Sequence, residues 1–350
     1  MHRNETKRIK VGSIEIGGDA PISVQSMCNT KTDDVEATLE QISALVKAGC
    51  DIVRLAVPNR EAAEALSKIR AKTNIPLVAD IHFDHKLALA AVEAGFDKIR
   101  INPGNIGSVE QVKMVADACR ANGTAMRIGV NAGSLEKRFE ENGGSAAENL
   151  VASAMDHINL LEGFNFDRLC ISVKASNVQK TVEAYRLLAQ RTSYPLHLGV
   201  TETGTAYMGL IKSSAGIGSL LLDGIGSTLR VSLTADPVEE VKAGISLLKA
   251  VGLRRAGVEI ISCPTCGRTD IDLMTMVERV ETLLKDIKTP LTVAVMGCVV
   301  NGPGEARDAD YGLAGGKGQG ALFRHGEIVG KYPEEALLEA LVELVLKDLK

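Results

Sequence analysis

The chain has 350 residues, 45% hydrophobic and 24% charged, with 40 Lys and Arg against 44 Asp and Glu and a formal net charge of −4. This is the composition of a globular protein with room for one large domain and a smaller one, and it excludes a disordered or fibrous chain. With 3% aromatic residues, no Trp and no excess of positive charge, it offers neither the field nor the stacking surface that nucleic acid needs.

The opening Met1-His-Arg-Asn-Glu-Thr-Lys is polar, and no apolar run reaches the roughly 18 residues of a membrane span, so no membrane association and a cytoplasmic location are expected. Between residues 22 and 233, short β-branched runs alternate with helical stretches. Eight runs centre on Val24, Val53, Val78, Ile99, Ile128, Ile171, Leu198 and Arg230, spaced about 29 residues apart, the size of a strand, a crossover helix and a return. Val35 to Gly49, Arg60 to Ala71 and Gln111 to Gly123 carry apolar residues at helical spacing. Eight near-equal units predict a closed (β/α)8 TIM-type barrel over residues 1–253, rather than a doubly wound open sheet. The longest interval, Ile128 to Ile171, holds the polar insertion Phe139-Glu-Glu-Asn-Gly-Gly-Ser-Ala, expected over the barrel mouth. After Val251-Gly-Leu-Arg-Arg-Ala-Gly the composition changes. Residues 254–350 read as strand, helix (Met274 to Lys285), strand (Leu291 to Met296), a Gly-rich loop, a hairpin around His325-Gly326 and a helix from Pro333, a small α+β domain.

Arg54, Arg100, Arg127, Lys174 and Arg230 all occupy strand segments. At period two, Arg100 shares a face with Asn102, Arg127 with Gly129 and Asn131, Lys174 with Ser172 and Ser176, and Arg230 with Ser232. Barrel strands turn an apolar face to the helices, so these polar faces point inward at the mouth. Asp80, His82 and Glu202 can neutralise some of the five cations. The surplus asks for a substrate with two or more negative charges, and Arg forks match phosphate oxygens. The bland alternative is a structural salt-bridge network.

Seven cysteines in a chain of this size and reducing setting read as ligands only where they cluster. Cys263-Pro-Thr-Cys266 closes a tight loop, and Cys298 follows in Met296-Gly-Cys-Val-Val-Asn-Gly-Pro-Gly-Glu305. No fourth Cys or His lies close by, which disfavours structural zinc. An iron–sulfur cluster fits better, with Glu305 a candidate fourth ligand, while a redox disulfide or a zinc knuckle stays open. Cys28, Cys50, Cys119 and Cys170 are expected to be packed and inert. Gly315-Gly-Lys-Gly-Gln-Gly320 lacks P-loop spacing, Gly216-Ile-Gly218 lacks a third dinucleotide-binding glycine, and His82-Phe-Asp-His85 reads as an ordinary hydrogen-bonding pair.

With these residues in hand, nearly the whole chain resembles the 4-hydroxy-3-methylbut-2-enyl diphosphate synthase family of the non-mevalonate isoprenoid pathway, in its short two-domain form. The segments that carry the likeness are Ser262-Cys-Pro-Thr-Cys-Gly-Arg-Thr, Met296-Gly-Cys-Val-Val-Asn-Gly-Pro-Gly-Glu-Ala, Ala79-Asp-Ile-His-Phe-Asp, Arg100-Ile-Asn-Pro-Gly-Asn and Val200-Thr-Glu. The resemblance implies reductive ring opening and dehydration of 2-C-methyl-D-erythritol 2,4-cyclodiphosphate at a 4Fe-4S cluster held by Cys263, Cys266, Cys298 and Glu305. It implies diphosphate binding by Arg54, Arg100, Asn102, Arg127, Asn131, Lys174, Arg230 and Ser232, with Asp80 and His82 beside them. Glu202 falls at the acidic position near the substrate carbons and is the catalytic candidate. No flavin or nicotinamide motif is visible, so flavodoxin or ferredoxin is the expected electron donor. A head-to-tail homodimer is expected too, because the short link near 250–257 restricts how the second domain can reach its own barrel mouth. The competing readings are an iron–sulfur dehydratase of a phosphorylated sugar, needing no reductant, and a non-catalytic iron–sulfur sensor, which has no use for five inward cations.

Overall fold

The computed structural model describes residues 2–102, 104–141, 143–298, 304 and 307–349. Contacts divide the chain into two compact units, Met1–Leu253 and Arg254–Lys350. Among the described residues no helix is long and apolar enough to cross a membrane.

In the first unit an eight-stranded parallel sheet curls into the barrel expected from the eight β-branched runs. Its strands are β3 (Ser23–Met27), β4 (Ile52–Ala56), β5 (Leu77–Asp80), β6 (Lys98–Ile101), β7 (Ala125–Asn131), β8 (Leu169–Lys174), β9 (His197–Leu198) and β10 (Thr228–Leu229). β3 pairs with both β4 and β10, and a bridge from Ile171 to Leu196 closes the ring between β8 and β9. The crossover helices are α1 (Val35–Lys47), α2 (Arg60–Arg70), α3 (His85–Glu93), α4 (Val109–Asn122), α6 (Ala146–Gly163), α7 (Val178–Arg191), α8 (Ala206–Leu222) and α9 (Pro237–Ala250), with a short α5 (Lys137–Glu140) in the insertion after β7. Local chemistry sets their ends. The Ser108 side chain accepts from the Gln111 N–H while the Gln111 side chain reaches back, and Gly123 ends α4 at φ +72°. Between strands and helices lies one continuous core that includes Val24, Val53, Leu55, Leu77, Ala79, Ile99, Ile128 and Ile171.

The alternation pattern gave no sign of the hairpin β1 (Ile9–Val11) and β2 (Ile14–Ile16), three residues each and turned by Gly12 at φ +58°. Ile9, Val11 and Ile16 pack on Ile52, Val78, Ala125 and Cys170, so the hairpin plugs the end of the barrel where the strands begin. Cys28, Cys50, Cys119 and Cys170 are all buried, and burial pushes each thiol up, those of Cys28, Cys50 and Cys119 to about 12, as inert packed cysteines require.

The second unit is a five-stranded mixed sheet in the order β11 (Val258–Ser262), β12 (Leu291–Met296), β13 (Tyr311–Ala314), β14 (Gln319–Arg324), β15 (Glu327–Pro333), with α10 (Leu273–Leu284) and α11 (Glu334–Asp348). β11, β12 and β13 run parallel, and β13 to β15 form an antiparallel meander with His325-Gly326 at its second turn. Strand β13 falls where the sequence reads as a Gly-rich loop.

The barrel plug yields a stability prediction. Ile16 is fully buried, so Ile16→Ala should cost the first unit about 2–5 kcal/mol, measured as a lower urea midpoint of the barrel's unfolding transition with the second unit's transition unmoved.

A cation-lined barrel mouth and a cysteine-bearing sheet edge

Following the strand register round the barrel, with its slant, sorts the inward residues into layers drawn from alternate strands. Ile52, Lys98, Cys170 and Thr228 lie lowest, above the hairpin plug. Next come Gln25, Val78, Arg127 and His197, then Arg54, Arg100, Ser172 and Arg230. Above these are Met27, Asp80, Gly129 and Gly199, and at the top Ala56, Asn102, Lys174 and Ser232. All five cations singled out from the sequence therefore converge on the barrel axis. Arg230 sits one residue beyond β10, its N–H bonded to the Leu198 carbonyl at 3.0 Å.

Asp80 is the hub of one group. It lies 3.2 Å from Arg100, 3.8 Å from Arg54 and 3.6 Å from His82 Nε2. Burial alone opposes ionisation, but Arg54, the His82 hydrogen bond and Arg100 outweigh it and hold the carboxyl well below the usual range. Arg100 also donates to the Gly129 carbonyl at 3.3 Å. A Cβ at Gly129 would stand 2.4 Å from Arg100 Nε, so only glycine lets the guanidinium lie flat there. The second hub is Glu240, in the first turn of α9. It takes Arg230 on both oxygens at 3.1 Å, the Leu233 N–H at 3.0 Å and the Ser26 hydroxyl at 3.1 Å. Sequence reasoning missed Glu240 because it lies on a helix rather than on a strand's inward face. It also missed Lys98, although Lys98 has the same parity as Arg100 two residues on. Met27 is a further surprise, its sulfur 2.9 Å from Arg54 Nη2.

Two carboxylates thus meet six cationic side chains. Arg127 is 1% exposed, and its Nε and Nη1 have no hydrogen-bond partner among the described residues. Lys174 is buried at the top layer, its Nζ lying where a Cβ at Gly199 would come within 2.5 Å. Burial, and then Arg127, Arg54, Arg230 and Arg100, push the Lys174 amine well below its ordinary value. Buried positive charge left uncompensated is costly, and an anion among these groups offsets that cost.

At the rim, Asn102 is buried and its Oδ1 accepts from the Gly104 N–H at 3.2 Å. Asn131 ends β7, and the Ser232 carbonyl accepts from the Thr203 hydroxyl. His82 is half-exposed and bonds Arg100 at 3.2 Å. Glu202 is exposed in the loop after β9, where φ is +54°, a conformation seldom found outside glycine and one that clusters at functional sites. Its carboxylate lies against the start of the insertion, about the reach of a Cβ on Gly133. Glu136 and His157, 3.0 Å apart, pin that insertion to α6.

In the second unit, β11 and β12 are register neighbours with Ser262 opposite Val295, so Cys263 and Cys298 leave the same edge of the sheet. The Gly297 N–H donates to Cys263 Sγ at 3.2 Å, and backbone and side-chain donors of Arg268 hold the exposed Cys266 thiol below its ordinary value. N–H groups aimed at sulfur suit thiolate ligands of an iron–sulfur cluster. Among the described residues no three Cys, His, Asp or Glu side chains stand close enough to share one metal ion. Glu305 lies outside the described residues.

Residues 6–245 match the family model described as the GcpE TIM-barrel domain, and residues 259–347 match the GcpE protein C-terminal domain. The chain belongs to the GcpE family. Curated relatives named 4-hydroxy-3-methylbut-2-en-1-yl diphosphate synthase (flavodoxin) include one from Geobacter sulfurreducens, 58% identical over 99% of this chain and 98% of that one, and one from Clostridium perfringens, 56% identical over 99% of each. Among solved structures, dihydropteroate synthases from Stenotrophomonas maltophilia (TM-score 0.53, 17% identity, 70% of this chain and 97% of that one) and Yersinia pestis (TM-score 0.51, 13% identity, 72% and 98%) share the fold alone.

For this GcpE protein, two outcomes follow from the geometry. Gly129→Ala should force Arg100 aside and weaken pyrophosphate binding about tenfold, read by titration calorimetry. The second concerns Lys174. Its folded-state pKa is depressed, so a ligand-free fold binds fewer protons than the unfolded chain in the window below the ordinary lysine value, and its stability rises with pH there. A polyanion favours the charged amine, so binding should take up a proton and affinity should fall as pH rises. Calorimetry in buffers of different ionisation enthalpy checks this, with Lys174→Met lowering the uptake.

Proposed function

We propose that this GcpE protein catalyses the reductive ring opening and dehydration of 2-C-methyl-D-erythritol 2,4-cyclodiphosphate to 4-hydroxy-3-methylbut-2-enyl diphosphate, the product in the names of its curated relatives. The observation that carries the reading is the buried surplus of cations over carboxylates in the barrel, which a doubly charged diphosphate satisfies. A sensor without a substrate would be destabilised by that surplus and gain nothing from it.

Arg54, Arg100, Arg127, Lys174 and Arg230 hold the diphosphate, with Asn102, Asn131 and Ser232 bonding its rim oxygens. Asp80 and His82 fix Arg54 and Arg100, so their forks are preorganised before the ligand arrives. Glu202, poised beside the substrate carbons, holds the proton that leaves with the departing hydroxyl as water. Cys263, Cys266, Cys298 and Glu305 would hold one 4Fe-4S cluster, which when bound supplies electrons one at a time and a Lewis-acidic iron. The electrons come from reduced flavodoxin, the donor in the relatives' names, or from ferredoxin. The dehydratase alternative needs no reductant.

Protein reconstituted with iron and sulfide should convert the cyclodiphosphate to the diene diphosphate only when a reduced one-electron carrier is present. Turnover without reductant would overturn the reading in favour of the dehydratase. Cys298→Ala should lose most of the bound iron and the visible absorption of the cluster while still binding pyrophosphate. Unchanged iron content would remove Cys298 from the ligand set.

The reading extends to a homodimer. The start of α8 leaves Tyr207, Met208, Leu210 and Ile211 exposed, at 73, 44, 40 and 44%, a concentration of apolar surface that a second copy would cover. Light scattering should give twice the chain mass for the native protein and a shift toward the monomer for Tyr207→Glu.

A further inference from the structure

One cation of the barrel has no place in the diphosphate grip just described. Lys98 is fully buried, and its Nζ has no hydrogen-bond partner among the described residues. Register sets it between Val78 of β5 and Ala125 of β7, in the lowest layer with Ile52, Cys170 and Thr228. The groups that act on it are the Cys170 thiol, Arg127, Arg54 and Asp97. Its neighbours in the plug are apolar, so a methionine would fill the position without the cost of burying an unpaired ammonium. Burial brings the amine down to about 8, which leaves it mostly charged near neutrality. A charge kept at such a site destabilises the fold, a cost that proteins carry where function needs it.

Arg127, in the next layer up, has Nε and Nη1 groups with no hydrogen-bond partner among the described residues. Any acceptor placed beneath Arg127 would draw the guanidinium down and away from the mouth. Lys98 offers no acceptor and repels it. We propose that Lys98 is a positioning residue of the anion site, a sixth cation beneath Arg127 that keeps the guanidinium turned toward the ligand and favours pyrophosphate over singly phosphorylated anions. The proposal rests on the diphosphate reading of the barrel. The energy of an anion in the field of Lys98 scales with the anion's charge, so the more highly charged anion gains more from a cation it never touches.

The test compares wild type, K98M and K98Q as full-length, reconstituted protein, titrated with pyrophosphate and with inorganic phosphate, alongside ligand-free melting. K98M should bind pyrophosphate about tenfold or more weakly, lose less affinity for phosphate, and melt higher than wild type. K98Q, which keeps a donor but not the charge, should bind as weakly as K98M. Wild-type pyrophosphate affinity in K98M, or its recovery in K98Q, overturns the proposal. So does a fall in melting temperature that parallels the loss of affinity, because that marks a structural role. Should K98M fail to fold, K174M decides, since Lys174 no longer titrates there. Its pyrophosphate affinity should still fall as pH rises past about 8, and an affinity that does not fall overturns the proposal. Failure of wild type itself to bind pyrophosphate would instead sink the diphosphate reading and leave the role of Lys98 as a separate question.

Discussion

The barrel interior is organised by an imbalance of charge. Six cationic side chains point toward one axis, and among the described residues Asp80 and Glu240 are the carboxylates that form ion pairs with them. Taking an ion out of water costs several kcal/mol even after relaxation, so the arrangement persists only because the surrounding barrel is rigid. The apolar outward faces of the same strands supply that rigidity. Val53, Leu55, Ala79, Ile99, Ile128 and Ile171 seal against the helices, and each backbone that carries a cation inward is held by its neighbours in register. On the proposed reading, a polyanionic substrate offsets part of that cost when it binds.

The two carboxylates do different work. Asp80 lies on a strand and joins Arg54, Arg100 and His82 into one block, so these three groups cannot move independently. Glu240 belongs to a helix and ties Arg230 to Ser26 and to the Leu233 backbone, which locks the last βα unit against the first strand. One pairing shapes the grip. The other closes the barrel around it.

Much of this was legible in the sequence because both signals have short periods. A strand of a parallel barrel shows its inward face every second residue, and the crossover length repeats, so the eight units and the five cations on them could be counted. The remainder was hidden for physical reasons. Glu240 is brought in by helix packing, which no strand pattern reports. The hairpin at residues 9–16 is too short for periodicity to register, and β13 is masked by neighbouring glycines. Lys98 was readable by the same parity that marked Arg100, but a lysine at the buried beginning of a strand looks like a solvated end. The cysteine spacing pointed to a shared centre. The sheet register adds that Cys263 and Cys298 leave one edge on adjacent parallel strands.

The hairpin plug has a consequence for how the chain is made. Ile9, Val11 and Ile16 are synthesised before the surface that covers them, which comes from Ile52, Val78, Ala125 and Cys170. Until β8 has been synthesised, this apolar ribbon has no complete seat, and its short strands cannot hold together alone. The nascent barrel therefore carries an exposed, β-prone segment until that seat is complete, where chaperone capture competes with aggregation. The hairpin precedes the barrel strands in the chain and follows them into place.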